Sequence, residues 1–215
     1  TKRGIVRVSF LYDEPLPSRH SAMIQILNTA HALAAQGVRV QVHCGPLSKS
    51  AEECLASYGL PLRDGLELLP STSRAGGTSE LVRRFEGEQG PAGDRDAIIV
   101  RGESGVAMIP RLQALRSPQT RLVYEAHRLG FGERAEEMSG RIWRPGDRVP
   151  WRALRTRRSE SRALQSVDAL ICLTPAVRRA LREVFDVRQP TLVLPSGVSL
   201  PKPVSEPGCE RNIDV

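Results

Sequence analysis

The chain has 215 residues, 40% of them hydrophobic and 26% charged, which is enough for one good core and gives no indication of disorder. Only 4% are aromatic, so we expect a core of Leu, Val, Ile and Ala, which favours an α/β fold over an all-β sandwich. The net charge of +7 comes mostly from arginine and suits anionic partners such as phosphates, lipid head groups or nucleic acid.

The cysteines are scattered and form no C-x-x-C pair; they are Cys44, Cys54, Cys172 and Cys209. We therefore predict reduced structural thiols and no metal site. No stretch approaches the ~18 to 20 apolar residues of a membrane span, and no apolar signal segment opens the chain. The sequence thus predicts a soluble, cytoplasmic domain.

Strand-like and helical patterns alternate along the chain. The predicted strands are Ile5–Leu11, Val38–His43, Leu66–Leu69, Asp96–Arg101, Arg121–Glu125, Ala169–Leu173 and Thr191–Leu194. The predicted helices are Ala22–Gln36, Ser50–Tyr58, Gly105–Leu115, Trp151–Leu164 and Ala176–Phe185. The polar segment Ser71–Gly93 is predicted to be a mobile excursion, in which only Leu81, Val82 and Phe85 offer a helical face.

This alternation predicts a Rossmann-like, doubly wound α/β fold with a mostly parallel sheet of about seven strands and helices on both faces. Ligands should gather at the carboxyl ends of the strands. We expect this domain to occupy residues 1–199. Residues 200–215 comprise a linker by composition and, we expect, the first residues of a missing C-terminal domain.

Four pieces of sequence, in this order, resemble one family of enzymes. They are Ala30–Val40, Tyr124–Arg128, Ala169–Thr174 and Leu194–Val198. Together they resemble the N-terminal domain of family-four retaining glycosyltransferases with the GT-B fold. The last piece is similar to the family's P-N-G-V-D turn, with Ser196 and Ser199 in place of the usual Asn and Asp.

The resemblance implies that this domain binds the acceptor, a glycan, lipid-linked or small molecule, while a second Rossmann-like domain binds the nucleotide sugar. It also implies retention of the anomeric configuration, no obligatory metal or other cofactor, and no activity without the second domain. His127 follows a predicted buried strand and matches the position where family members often carry a histidine facing the transferred sugar. We assign it the catalytic role; the alternative is a histidine that caps the following loop.

The loop between the first strand and the first helix contains candidate substrate-binding residues, namely Ser18, Arg19, His20 and Ser21. The family usually has a Gly-Gly pair here, close to the donor diphosphate, and this sequence has none. The hydroxyl and imidazole groups are candidate replacements for backbone donors at the helix N-terminus. The alternative is that Ser18 or Ser21 is a plain N-cap.

Arg101 ends the fourth strand and is a candidate for bidentate binding of a carboxylate or phosphate. The equally open alternative is an ion pair between Arg101 and Glu125. The other candidate substrate-binding residues also lie at or near strand ends: Glu103, Ser104, Glu125, Arg128, Thr174, Ser196 and Gly197.

The densest positive charge lies between Arg141 and Arg162, with two tryptophans interleaved. The candidate membrane or anion patch within it consists of Arg144, Arg148, Trp151, Arg152, Arg155 and Arg158. Tryptophan beside arginine suits the surface of an anionic membrane, and the alternative is a solvated helix face. Nucleic-acid binding lacks a recognition motif, and a non-catalytic Rossmann-like module for an anionic ligand is the remaining rival.

Overall fold

Seven strands form one sheet in the order β3-β2-β1-β4-β5-β6-β7. The computed structural model describes residues 7–71, 77–87, 97–126, 130–140, 147–148 and 151–195. The strands are β1 (Arg7–Leu11), β2 (Arg39–Cys44), β3 (Leu66–Pro70), β4 (Ala97–Arg101), β5 (Arg121–Ala126), β6 (Ala169–Cys172) and β7 (Thr191–Val193). Every neighbouring pair is parallel, which confirms the predicted doubly wound α/β fold.

The helices of the described chain are α1 (Ser21–Ala35), α2 (Ala51–Ala56), α3 (Gly77–Gly87), α4 (Gly102–Leu115), α5 (Gly130–Ser139), α6 (Trp151–Ser166) and α7 (Pro175–Phe185). Local chemistry sets several of their ends. Ser50 and Glu53 form a capping box at the start of α2. Pro175 lies in the first turn of α7, where its missing N–H costs nothing. Past α1, Gly37 has a φ of +81°, which a glycine adopts without strain.

Two helices differ from the sequence prediction. In α3, Leu81, Val82 and Phe85 are buried in the main core, so the prediction of a mobile excursion is wrong for this helix. The helix α5 was not predicted, because its described apolar anchors are few. Phe131 and Ala135 are its buried hydrophobic residues among those described, and glycine and glutamate surround them, so the helical period is hard to detect.

The core has one layer on each face of the sheet. On one face, α1 and α2 pack against β1, β2 and β3. On the other face, the helices α3 to α7 pack against the strands β1, β4, β5 and β6. The chain winds outward from β1 in one direction and from β4 in the other. The two strands are neighbours, so the topological switch point lies between them.

The cysteines that the structure describes are Cys44, Cys54 and Cys172, and all three are free and buried. Burial raises the pKa of the Cys44 thiol to about 12, which keeps it protonated and unreactive at neutral pH. The prediction of reduced structural thiols is confirmed for these three; Cys209 lies outside the described residues. No helix in the described parts of the chain is long and apolar enough to cross a bilayer.

Candidate active site at the carboxyl edge of the sheet

Three strand ends and two helix starts converge at the switch point. The loop Tyr12–His20 leaves β1 and leads into α1, and β4 passes directly into α4. The strand β5 lies beside β4, with Arg101 opposite Glu125 in the register. Parallel strands end at the same edge, so these groups lie together where doubly wound folds bind their ligands.

Arg101 connects these elements through its side chain and is only 2% exposed. One Nη donates to the carbonyl oxygen of Ala22 in the first turn of α1. The other donates to Gln25 Oε1 at 2.6 Å and to Glu125 Oε1 at 3.0 Å. The ion pair that the sequence left open as an alternative is therefore present, and the guanidinium holds the start of α1 against β4 and β5.

For each member of this pair, burial and the charge of the partner shift the pKa in opposite directions. Burial raises the pKa of Glu125, and the charge of Arg101 partly offsets that rise. Burial also lowers the pKa of Arg101, against the opposing effect of Glu125. A guanidinium is not deprotonated in proteins, so Glu125 is the member of the pair that titrates. A ligand role for Arg101 or Glu125 stays a prediction.

The loop after β1 is held by backbone and side-chain contacts. The Tyr58 hydroxyl donates to the carbonyl oxygen of Ser18 at 2.8 Å, and Ser18 Oγ donates to Glu14 Oε1 at 2.5 Å. The β2–α2 connection supports the same loop, because Gly45 N donates to the carbonyl oxygen of Glu14 at 2.8 Å. A Cβ on Gly45 would lie 2.6 Å from Pro15 N, so only glycine fits this close approach.

No side chain caps α1 or α4 among the described residues. The N-cap of α1 is His20, without a side-chain hydrogen bond, so the alternative reading of Ser18 or Ser21 as its N-cap is wrong. The N-cap of α4 is Arg101, again without a side-chain bond. Two helix N-termini therefore open at this edge without a capping side chain, and such ends favour an anion.

Two carboxylates missed by the sequence analysis lie in the loop between β1 and α1. Asp13 and Glu14 lie two and three residues past the end of β1 and are half-buried. Burial, followed by the charge of Glu14, raises the pKa of Asp13. Carboxylate oxygens accept hydrogen bonds from hydroxyl groups, which suits a sugar. Their position close to the carboxyl end of a buried strand was the available signal, but the nearby prolines favoured the interpretation of this segment as a plain loop.

The other predicted substrate-binding residues have varied surroundings. Arg19, His20 and Ser21 are exposed at the mouth of the site. Ser104 Oγ donates to the carbonyl oxygen of Arg101 at 3.4 Å. Thr174 Oγ1 accepts from Val177 N at 3.2 Å and caps α7, which is a structural use of its hydroxyl. None of these contacts tests a ligand role.

Several predicted site residues fall outside the described residues, and their roles stay predictions. They are His127, Arg128, Arg144, Ser196 and Gly197, together with the side chains of Glu103 and Arg152. In the basic segment, Arg148, Trp151, Arg155 and Arg158 are exposed. Among the described residues, no three His, Cys, Asp or Glu side chains are grouped so that they could hold a metal ion.

A family model described as "Glycosyl transferase 4-like domain" matches residues 24–197. The chain belongs to this family. The match confirms the resemblance to family-four glycosyltransferases inferred from the four sequence pieces. No curated protein sequence matches this glycosyl transferase 4-like chain.

Solved structures share its fold. TcCGT1 in complex with UDP superposes with a TM-score of 0.61 at 13% identity, over 95% of this chain and 54% of that one. Sucrose-phosphate synthase from Thermosynechococcus elongatus gives 0.61 at 12%, over 90% and 49%. A UGT transferase from Siraitia grosvenorii in complex with UDP gives 0.54 at 12%, over 92% and 52%. The glycosyl transferase 4-like chain therefore has a GT-B-type fold and spans about half the length of these proteins.

Proposed function

We propose that this chain is the N-terminal, acceptor-side half of a retaining glycosyltransferase. The full enzyme moves a sugar from a nucleotide sugar to a glycan, a lipid-linked or a small-molecule acceptor. The observation that carries the proposal is the family match over residues 24–197. The lengths of TcCGT1 and sucrose-phosphate synthase support the two-domain part, since this chain covers 54% and 49% of them.

The geometry at the switch point supports a role for this half in transfer. The N-termini of α1 and α4 carry no side-chain cap. Partial positive charge at such ends stabilises the negative charge that develops on a departing nucleoside diphosphate. In this proposal the second half supplies the main nucleotide site, and these helix ends act without an obligatory metal.

The acceptor occupies the loops at the strand ends. Asp13 and Glu14 accept hydrogen bonds from its hydroxyl groups, and Ser18 adds a hydroxyl whose position is fixed by Glu14 and Tyr58. The Arg101–Glu125 pair keeps α1 at a constant distance from β5, so the groups on both elements stay aligned.

His127 is proposed to contact the transferred sugar. What supports this is its place in the sequence, one residue past the end of β5 at Ala126, and the resemblance of Tyr124–Arg128 to the family. A neutral imidazole there can hydrogen-bond a sugar hydroxyl while the two halves close and exclude water. The proposed location of the enzyme is the cytoplasm, where nucleotide sugars are present as donors.

The test is the release of nucleoside diphosphate by the full-length polypeptide from a panel of nucleotide sugars, with and without candidate acceptors. His127→Ala is compared with His31→Ala, a matched control in α1 whose imidazole contacts Arg63. We expect acceptor-stimulated release that falls by roughly 100-fold or more in His127→Ala alone. NMR of the product should show the anomeric configuration of the donor.

Each other outcome changes a different part of the proposal. Release that survives His127→Ala removes the catalytic assignment and keeps the transferase. An inverted product removes retention. No release with any donor favours the non-catalytic module for an anionic ligand.

A further inference from the structure

A groove runs along the outer helical layer between α4 and α6, which pack side by side. Its volume is about 560 Å³, and an adjoining hollow of about 340 Å³ extends it toward the start of α5. Val106 and Pro110 of α4 and Ala163 of α6 give it apolar walls. The main groove is lined by residues of α4 and α6 and by none of the strand-end residues of the candidate active site.

Three arginines of α6 line this groove: Arg155, Arg158 and Arg162. Their spacing of three and four residues places them on one side of the helix. All three are exposed. Within the described residues none of them forms an ion pair.

The acidic residue nearest in sequence does not neutralise them. Glu160 is 2% exposed and accepts from the backbone N–H groups of Gly130 and Phe131 at 2.9 and 3.0 Å. Its charge is therefore used to cap α5. Some other surface arginines do have carboxylate partners, as Arg111 does with Glu86. Among the described residues, the groove is a positive surface whose arginines have no acidic partner.

Apolar side chains project beside this charge. Trp151 is 68% exposed and Leu154 is 38% exposed, both at the start of α6. An exposed tryptophan and leucine next to arginines match the two parts of a membrane surface, acyl chains below and anionic head groups above. Two copies of this groove would repel each other, and nucleic acid offers no aliphatic partner for Leu154 and Val106.

We infer that the α4–α6 groove docks on an anionic phospholipid surface, with Arg155, Arg158 and Arg162 contacting head-group phosphates. Trp151 and Leu154 then enter the interfacial layer. The inference does not depend on the glycosyltransferase proposal, because it requires only a surface and not a reaction.

The test is co-sedimentation of the protein with vesicles of phosphatidylcholine, with and without phosphatidylglycerol, at low and high salt. The variant R155Q/R158Q/R162Q is compared with R39Q/R179Q/R182Q. The control removes the same charge from exposed arginines on β2 and α7. Circular dichroism melting confirms that both variants fold.

We expect binding to the anionic vesicles alone, weakened by salt. The groove variant should lose roughly 100-fold in partition coefficient and the control less than about fivefold. The chain has two tryptophans, so Trp143→Phe leaves Trp151 as the single tryptophan fluorophore. In this background, the fluorescence of Trp151 should shift to the blue on binding. The inference is overturned by an absence of vesicle binding at low salt or by equal losses in the two variants. Binding to a duplex oligonucleotide without vesicle binding would overturn it in favour of nucleic acid.

Discussion

Replacing Arg101 with methionine should be the most destabilising single change at the sheet edge. The guanidinium is almost fully buried and bonds Ala22, Gln25 and Glu125. Its loss leaves the Glu125 carboxylate in a largely buried position without its cation. Breaking a buried pair from one side costs about 3–5 kcal/mol, which corresponds to a fall in Tm of roughly 10 °C for a domain of this size.

Urea unfolding of wild type, Arg101→Met, Glu125→Leu and the double variant measures this cost. The double variant should be more stable than Arg101→Met, because no uncompensated buried charge remains. Arg179→Met, an exposed change on α7, is the control and should stay within about 0.5 kcal/mol of wild type.

The loss in free energy of unfolding caused by Arg101→Met, here called the deficit, should also depend on pH. Burial raises the pKa of Glu125 even in the wild type, and removing Arg101 raises it further. A carboxyl whose pKa is higher folded than unfolded favours folding when protonated. The deficit should therefore be smallest near pH 4 and should grow as the pH rises through the folded-state pKa. A loss below about 1 kcal/mol at pH 7, or a deficit that shrinks with rising pH, would refute this account of the pair.

Two further predictions concern contacts that stabilise the fold. Burial tends to raise the pKa of Asp168, but the Leu122 N–H, Arg116 and Arg121 outweigh it and the pKa is lowered. Asp168→Asn should cost about 1–2 kcal/mol at pH 7 in urea unfolding. This cost should begin to shrink below the unfolded-state pKa of about 4 and should disappear only as the pH falls through the lower folded-state pKa, whereas a pH-independent cost would contradict the assignment. A Cβ on Gly105 would lie 3.1 Å from the carbonyl carbon of Val100, so Gly105→Ala should lower the free energy of unfolding by about 1–3 kcal/mol. The control is Gly87→Ala, whose Cβ would have no atom within 4 Å and which should cause no such loss. Equal Tm values for the two variants would count against this close packing.

Much of the fold could be predicted because each element has a strong local signal. The buried run at β4 and the apolar spacing of α1 match the structure closely. The helix α5 could not be predicted from its own residues. Its N-terminus is capped by Glu160 of α6, a contact across about 30 positions of sequence that no local pattern reveals.

The candidate site, like the fold, could be predicted from the sequence only in part. Its place at the carboxyl edge followed from the βα alternation, and Arg101, Glu125 and Ser18 were selected from sequence. Sequence left open whether Arg101 faces a ligand or Glu125, because both outcomes need a guanidinium at the end of a strand. The contact with α1 through Ala22 and Gln25 decides its structural partners. These residues are far apart in the sequence, so no local sequence pattern predicts the contact.

The most direct test of the central claim is a comparison of sugar transfer by residues 1–215 and by the full-length polypeptide, with the same nucleotide-sugar and acceptor panels. The two-domain account predicts acceptor-dependent transfer by the full-length protein and none by residues 1–215, with activity that does not depend on added metal. Transfer by residues 1–215 alone would contradict the assignment of this chain as an acceptor-side half. Absence of transfer by the full-length protein with every donor would contradict the enzyme itself.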